Sequence, residues 1–174
     1  RFLDAYVLSG QLYFDRGQHE KSLAQYQKVL DLSPDHAGAL LKVGSIQITF
    51  AFMKATEGTW MKDPEFVRNW KGAKEAGIVR GAYHFFLPNM SVKDQVLQFS
   101  RAVKLKSGDL PPVVDIEETR GMSKSQIQTY TKEFLVLLEK QYKVRPILYT
   151  NRDFYKNYFA DNEAFKGYRF WIAH

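Results

Sequence analysis

Two carboxylates stand two residues apart at the end of an apolar stretch of the chain. Asp115 and Glu117 close residues 110–117, whose composition predicts a buried strand. Because strand side chains alternate between faces, Asp115 and Glu117 point to one face and Glu118 points to the other. Two carboxyl groups on one face can act as a general acid and base. The same spacing also suits a pair of magnesium ligands or a satisfied salt bridge, and the residues alone leave these alternatives open.

Strands that alternate with helices are predicted on both sides of this stretch. The strands are predicted at residues 48–53, 78–86, 112–117, 145–150 and 169–173, and the helices between them at 64–76, 92–106, 123–142 and 152–159. Such alternation predicts parallel βαβ units, in a doubly wound sheet or in a β/α barrel. No glycine-rich phosphate turn follows the first strand, which argues against a nucleotide-binding sheet. The sequence therefore favours an α/β fold with a partial barrel of the TIM type.

Polar and aromatic residues gather at the carboxyl ends of these predicted strands, where a β/α barrel builds its active site. In addition to Asp115 and Glu117 they are Lys54, Glu57, Tyr83, His84, Phe85, Tyr149, Asn151, Trp171 and His174. The aromatic side chains can wall a cleft or fill the core, and Lys54 and Glu57 can contact a substrate or simply neutralise each other. The histidines have no third ligand at a recognisable spacing, so we predict no metal site and no cofactor.

Residues 1–47 predict helices instead of strands. Apolar residues at helical spacing predict helices over 5–14 and 20–32, with a second helical pair beginning at Ala37. Eight positions resemble those of a tetratricopeptide repeat, namely Tyr6, Gly10, Tyr13, Gly17, Ser22, Tyr26, Val29 and Pro34. The resemblance implies an all-α helix hairpin that binds a protein partner. The alternative is a linker or a support for dimerisation.

The composition is that of a folded protein with dispersed charge. The 174 residues carry a formal net charge of +6, and 45% of them are hydrophobic. Because the basic residues are spread along the predicted helices and are not grouped with aromatics, we predict no nucleic-acid partner. The absence of cysteine excludes a disulfide, a zinc–thiolate site and a thiol nucleophile. No apolar run approaches the length of a membrane span, and the first residues show no signal-peptide pattern.

Six short motifs in unbroken order resemble the family 25 glycoside hydrolases over residues 48–174. They are FMKATEG at 52–58, NW with the alanines and glycine that follow at 69–77, GAYHFF at 81–86, VDIE at 114–117, ILYTN at 147–151 and WIAH at 171–174. That family consists of lysozyme-type muramidases, which cut between N-acetylmuramic acid and N-acetylglucosamine. The resemblance implies peptidoglycan or a related amino-sugar polymer as the substrate, and a secreted or cell-envelope location.

The resemblance also implies a role for each matched residue. Glu117 corresponds to the general acid/base that protonates the glycosidic oxygen. Asp115 corresponds to the carboxylate that stabilises the oxocarbenium-like centre or orients the N-acetyl group of the substrate. On this interpretation the charge of Asp115 helps to keep Glu117 protonated. The implied substrate-binding residues are the walls Tyr83, Phe85, Tyr149 and Trp171, the rim residue His84, and Lys54, Glu57 and Asn151.

Parts of the family pattern have no counterpart in these residues. The family opens its barrel with a Gly-x-Asp-x-Ser strand and closes it with strands that add a further Asp, so two of its carboxylates are missing here. About five of the eight barrel strands are predicted. We therefore expect open edges at the first and last strands, and a fragment or fusion of a longer polypeptide. The alternative to a muramidase is a catalytically inactive glycan-binding or scaffold module with a tetratricopeptide interaction segment.

Overall fold

The computed structural model describes residues 2–173, with the side chain of Gln47 left out. His174, which the sequence analysis places at a strand end, therefore lies outside the described residues. Contacts between Cα atoms divide the chain into two compact units, Arg1–Thr49 and Phe50–His174, whereas the sequence predicts the boundary between residues 47 and 48. Each unit has a hydrophobic core of its own.

Three helices form the first unit: α1 (Phe2–Asp15), α2 (His19–Leu32) and α3 (Ala37–Gln47). α1 and α2 pack closely because Gly10 has no side chain, since a Cβ at that position would lie 3.0 Å from the ring of Tyr26. Ser22 Oγ donates a hydrogen bond to the Gly10 carbonyl oxygen over 2.7 Å. Helices are thus present where the sequence predicts them, and the tetratricopeptide identity of the hairpin stays a prediction.

A six-stranded sheet and its helices form the second unit. Its elements are β1 (Phe50–Glu57), β2 (Met61–Lys62), α4 (Phe66–Glu75), β3 (Val79–Phe85), α5 (Val92–Ala102), β4 (Val113–Asp115), α6 (Lys124–Tyr142), β5 (Ile147–Asn151), α7 (Arg152–Tyr158), a short 3-10 helix (Glu163–Phe165) and β6 (Arg169–Ala173). The strand order is β2-β1-β3-β4-β5-β6. All neighbours are parallel except β1 and β2. The predicted α/β fold with parallel βαβ units is confirmed.

One face of the sheet packs against the helices. Strand residues such as Val114 and Leu148 meet Phe99 of α5 and Phe134 of α6 in a single buried cluster. Each such side chain contributes about 1.5–3 kcal/mol by leaving water. This layer holds the strands in place, so the opposite face is left to form a site. None of the helices in residues 2–173 is long and apolar enough to cross a membrane.

The sheet is curved but does not close. In a flat sheet, β1 and β6 would lie about 19 Å apart across four strand spacings, yet the rings of Phe52 on β1 and Trp171 on β6 are 5.2 Å apart. The face that carries these rings is therefore concave. β2 and β6 stand at the two ends of the described sheet, so barrel closure is not present among these strands.

One predicted open edge is partly covered. The sequence predicts an open outer edge on the first strand, but β2 pairs with its last residues, Thr56 and Glu57. A turn at Gly58, whose φ is +52°, reverses the chain between the two strands. The sequence analysis missed this partial cover because a strand of two residues has no periodicity that a sequence pattern could reveal.

Candidate active site

One row of side chains crosses the five parallel strands near their carboxyl ends. The register pairs Phe85 with Asp115, Asp115 with Tyr149, and Tyr149 with Trp171. At the other end of the row, Glu57 of β1 is opposite Phe85. Paired residues of neighbouring strands share a face. The register therefore collects residues that lie far apart in the sequence on the concave face.

A cavity of about 460 Å³ opens on this face. It is lined by Phe52, Lys54, Tyr83, Phe85, Val113, Asp115, Glu117, Tyr149 and Trp171. All of these except Phe52 and Val113 are site residues that the sequence predicts. The volume lies in the range of small-molecule binding sites. The two carboxylates thus share one cavity, at the strand ends where parallel α/β proteins place their chemistry.

Asp115 is the more deeply buried of the two carboxylates. The residue is 8% exposed, and its Oδ1 atom has no hydrogen-bond partner among residues 2–173. Burial, and then the charge of Glu117, raise the pKa of Asp115 from 3.8 to about 7, against the opposing effect of Lys54. The sequence interpretation assigns the retained proton to Glu117, whereas in the structure it is Asp115 whose pKa is raised. A carboxyl group with such a pKa can exchange a proton near neutrality.

Aromatic rings form the walls of the cavity. The Trp171 ring packs edge-on against Tyr149, with centroids 5.1 Å apart, and tilts against Phe52. Burial, followed by the nearby carboxylates, raises the pKa of Tyr83 and that of Tyr149. Both tyrosines therefore stay neutral phenols that can donate a hydrogen bond. A continuous apolar wall thus runs across the strands, with polar tips beside Asp115.

Gly81 makes room for this wall. A Cβ at Gly81 would lie 2.2 Å from Cδ1 and Cε1 of Phe52. We expect Gly81→Ala to lower the free energy of unfolding by about 1–3 kcal/mol, because the ring must leave its place. Urea denaturation with an unchanged m-value measures this loss.

A matched glycine supplies the control for that experiment. A Cβ at Gly72, in the interior of α4, would meet nothing within 4 Å. Gly72→Ala should therefore raise the free energy of unfolding by about 0.5–1 kcal/mol. Equal destabilisation by the two substitutions would contradict the role assigned to Gly81.

An ion pair stands beside the cavity. Lys54 Nζ lies 2.6 Å from Glu57 Oε2, and it also lies over the Phe85 ring, 5.2 Å from the centroid. Both side chains are about one-quarter exposed, at 26% and 23%. Lys54 is a lining residue of the cavity and Glu57 is not. The sequence left substrate contact and mutual neutralisation open for this pair, and the structure contains the neutralising contact.

Comparison with known families decides the assignment. The sequence model of the protein family described as "Glycosyl hydrolases family 25" matches residues 23–174 of this chain. The chain belongs to glycosyl hydrolase family 25. The match begins inside α2, upstream of the residue at which the motif resemblance begins.

Individual proteins are similar to this chain in sequence and structure. The Escherichia coli protein YegX is 38% identical over 136 residues, which are 78% of this chain and 49% of YegX. Lysozyme M1 of Streptomyces globisporus is 33% identical over 147 residues, which cover 76% of this chain and 49% of that lysozyme. The crystal structure of a bacterial lysozyme from Streptomyces coelicolor superposes with a TM-score of 0.69 at 32% identity, covering 76% of this chain and 66% of the lysozyme. The chain therefore spans about half the length of the two sequence relatives.

His84, predicted at the rim of the family 25 site, does not line the cavity. It is fully buried on the helix side of the sheet, where Nδ1 lies 2.7 Å from Thr56 Oγ1 and Nε2 lies 3.1 Å from Gln95 Oε1. Burial lowers its pKa to about 4, so the ring is neutral at physiological pH. The physical reason is alternation: Tyr83 and Phe85 face the cavity, and the residue between them faces the opposite way.

Asn151, also predicted to contact substrate, caps a helix. Its Oδ1 atom accepts a hydrogen bond from the backbone N–H of Phe154 over 2.9 Å, at the N-terminus of α7. An asparagine directly before a helix is a common N-cap. Asn151 is not among the residues that line the cavity.

Two lining residues escaped the sequence analysis. Phe52 lies two residues before Lys54 on β1, and Val113 lies two residues before Asp115 on β4. The period of two that places both carboxylates on one face also places these residues there. Applying that period along every strand would have found them.

In the described part of the chain, no three His, Asp or Glu side chains are grouped so that they could hold a metal ion.

Proposed function

We propose that this chain carries the acid/base strand of a muramidase that cleaves the bond between N-acetylmuramic acid and N-acetylglucosamine in peptidoglycan. The observation that carries the proposal is the placement of Asp115 and Glu117 in one cavity with aromatic walls. Membership of family 25 and the similarity to Lysozyme M1 support the same activity.

In this proposal Glu117 is the general acid. Its carboxyl group gives a proton to the glycosidic oxygen as the bond from that oxygen to the anomeric carbon breaks. Water then adds to the anomeric carbon and returns a proton to the Glu117 carboxylate, so the enzyme ends as it began. In the fraction of molecules in which it is ionised, the neighbouring Asp115 stabilises the positive charge that develops on the sugar, or orients the N-acetyl group of the substrate.

The aromatic side chains supply the binding surface in this proposal. Tyr149 and Trp171 present flat apolar faces, on which a sugar ring can lie with its C–H groups against the ring. Tyr83 adds a neutral hydroxyl group beside the carboxylates. Such a surface suits an amino-sugar polymer, in which polar and apolar faces alternate, and needs no cofactor.

One observation favours a second candidate, a glycan-binding or scaffold module without catalysis. Only two carboxylates, Asp115 and Glu117, are among the residues that line the described cavity, whereas the resemblance implies four in the family's site. Leu8 and Leu12 are exposed on α1, and an apolar surface of that kind can take a protein partner. In this second proposal the cavity holds the glycan and the helical unit recruits a protein.

The release of reducing sugar from insoluble peptidoglycan separates the two candidates. The muramidase proposal predicts that the chain releases reducing ends in proportion to time and to enzyme concentration. The same samples, sedimented with the insoluble polymer, report binding. Co-sedimentation without sugar release would favour the non-catalytic module, and the absence of both would contradict both proposals.

A further inference from the structure

An irregularity in β1 puts Lys54 and Glu57 on one side of the sheet. The register of β1 against β3 shifts between Lys54 and Thr56, which leaves Ala55 as an extra residue. Residues three apart on a regular strand face opposite ways. The extra residue of a β-bulge cancels that alternation, so Lys54 is opposite Tyr83 and Glu57 is opposite Phe85.

The bulge is fixed from the other side of the sheet. Thr56, which a regular strand would turn toward the cavity, is fully buried and bonds to His84 instead. The Ala55 carbonyl oxygen accepts a hydrogen bond from the backbone N–H of Asp63 over 3.0 Å. These contacts hold the bulge in one arrangement, and the ion pair is therefore a built feature of the cavity wall.

Lys54 has two carboxylates within its electrostatic reach and bonds to one of them. Its ammonium group lies 2.6 Å from Glu57. Lys54 also lines the cavity together with Asp115, whose Oδ1 atom has no hydrogen-bond partner in the described part of the chain. Phe85 stands between the two carboxylates in the row, opposite Glu57 on one strand and Asp115 on the other. The Lys54 ammonium group is thus held at the cavity wall, and no cation of residues 2–173 pairs directly with Asp115.

We propose that Lys54 and Glu57 are positioning residues that set the charge state of Asp115. Glu57 holds the ammonium group of Lys54 away from Asp115, and this keeps Asp115 able to retain a proton near neutral pH. Lys54, held at the cavity wall by Glu57, limits how firmly Asp115 retains this proton. The inference deepens the proposed function, on which it rests for its catalytic consequence.

The charged and titratable groups around Asp115 come from each strand beside it. Among the residues that the structure describes, they are Lys54 and Glu57 on β1, Tyr83 on β3, Glu117 after β4 and Tyr149 on β5. The two tyrosines are neutral over the range in which Asp115 titrates, since their pKa values are raised from 10.0. The effect of Glu117 is common to all the variants compared below. Changes in titration can therefore be assigned to the ion pair.

The test is a carbon-13 NMR titration of the Asp115 side-chain carboxyl group in the intact chain without substrate. The signal is identified by its loss in Asp115→Asn. In Lys54→Met the midpoint should rise by about half a pH unit or more, because an opposing positive charge is removed. In Glu57→Gln it should fall by a similar amount, because a negative charge is removed and the ammonium group is released toward Asp115. The double variant should lie between the single variants.

An exposed ion pair on α4 supplies the matched control. Lys71 and Glu75 form a surface pair at 3.6 Å, so Lys71→Met and Glu75→Gln should leave the midpoint unchanged. Shifts of the same sign in the two test variants, or shifts as large in the controls, would overturn the inference. If Lys54→Met does not give a folded spectrum, Lys54→Gln makes the same prediction.

The result is independent of catalysis. Opposite shifts without hydrolysis would contradict the muramidase proposal and leave this inference in place. Hydrolysis without opposite shifts would contradict this inference and leave the muramidase proposal in place.

Discussion

Replacement of Glu117 by glutamine is expected to lower the rate of peptidoglycan hydrolysis by about 100- to 10,000-fold. Glutamine keeps the size of the side chain at the cavity wall but cannot give a proton to the glycosidic oxygen. Co-sedimentation with insoluble peptidoglycan should be nearly unchanged, because the aromatic walls remain. Initial rates of reducing-sugar release, measured for the two proteins at equal concentration, provide the number.

The next residue in the chain is the matched control. Glu118 is exposed and pairs with Arg120 at 2.5 Å, and it is not among the lining residues of the cavity. Glu118→Gln removes the same charge one residue away and should keep close to full activity. A comparable loss in both variants, or full activity in Glu117→Gln, would contradict the acid role of Glu117.

Asp115→Asn is expected to remove a large part of the pH dependence of stability. The pKa of Asp115 has its ordinary value of 3.8 in the unfolded chain and is about 7 in the folded chain. Below about pH 4, folded and unfolded chains both hold this proton; between about 4 and 7 only the folded chain holds it. Protonation therefore stabilises the fold at low pH, and this contribution is lost progressively from about pH 4 and is gone once the pH has risen through about 7. At about 1.36 kcal/mol for each unit of pKa difference, the free energy of unfolding falls by on the order of 4 kcal/mol.

The asparagine variant cannot ionise and should escape this loss. We expect it to match the wild type within about 1 kcal/mol at pH 4 and to exceed it by about 2–4 kcal/mol at pH 8. Urea unfolding of both proteins at several pH values measures the difference. A difference that does not grow with pH would show that the Asp115 carboxyl group is not held in the environment described. Because the substitution also removes a site carboxylate, the stabilised variant should hydrolyse peptidoglycan more slowly.

Period-two alternation made much of the site predictable from the sequence. Asp115 ends the buried strand β4 and Glu117 follows it, and their spacing alone puts them on one face. Tyr149 and Trp171 were predicted from their place at the ends of later strands, and the register sets them in the same row as Asp115. Parallel strands align their carboxyl ends, so a list of strand-end residues is also a list of neighbours.

The same rule shows why His84 was misplaced. Three consecutive residues of one strand cannot all face the cavity, and His84 lies between two that do. His84 was predicted to contact substrate because it belongs to the GAYHFF motif at 81–86, and a motif does not distinguish the two faces of a strand. The buried hydrogen bonds to Thr56 and Gln95 could not be foreseen, because they join segments far apart in the sequence.

The bulge in β1 marks a limit of sequence analysis. The first strand was predicted at residues 48–53 and spans Phe50–Glu57. Its extra residue, Ala55, has no distinguishing side chain, and the bulge depends on hydrogen bonds to His84 and Asp63, which lie outside the strand. The Lys54–Glu57 contact follows from that bulge, so the sequence offered mutual neutralisation of the two residues as a possibility but could not decide it against substrate contact.

Analysis of the cleavage products tests the central claim most directly. Peptidoglycan digested with this chain is reduced with borohydride, and the sugars at the new chain ends are identified by mass spectrometry after separation. A muramidase leaves N-acetylmuramic acid at each new reducing end, so the account predicts that reduced muramic acid accumulates with time. New ends that carry only reduced N-acetylglucosamine, or no new ends at all, would contradict it.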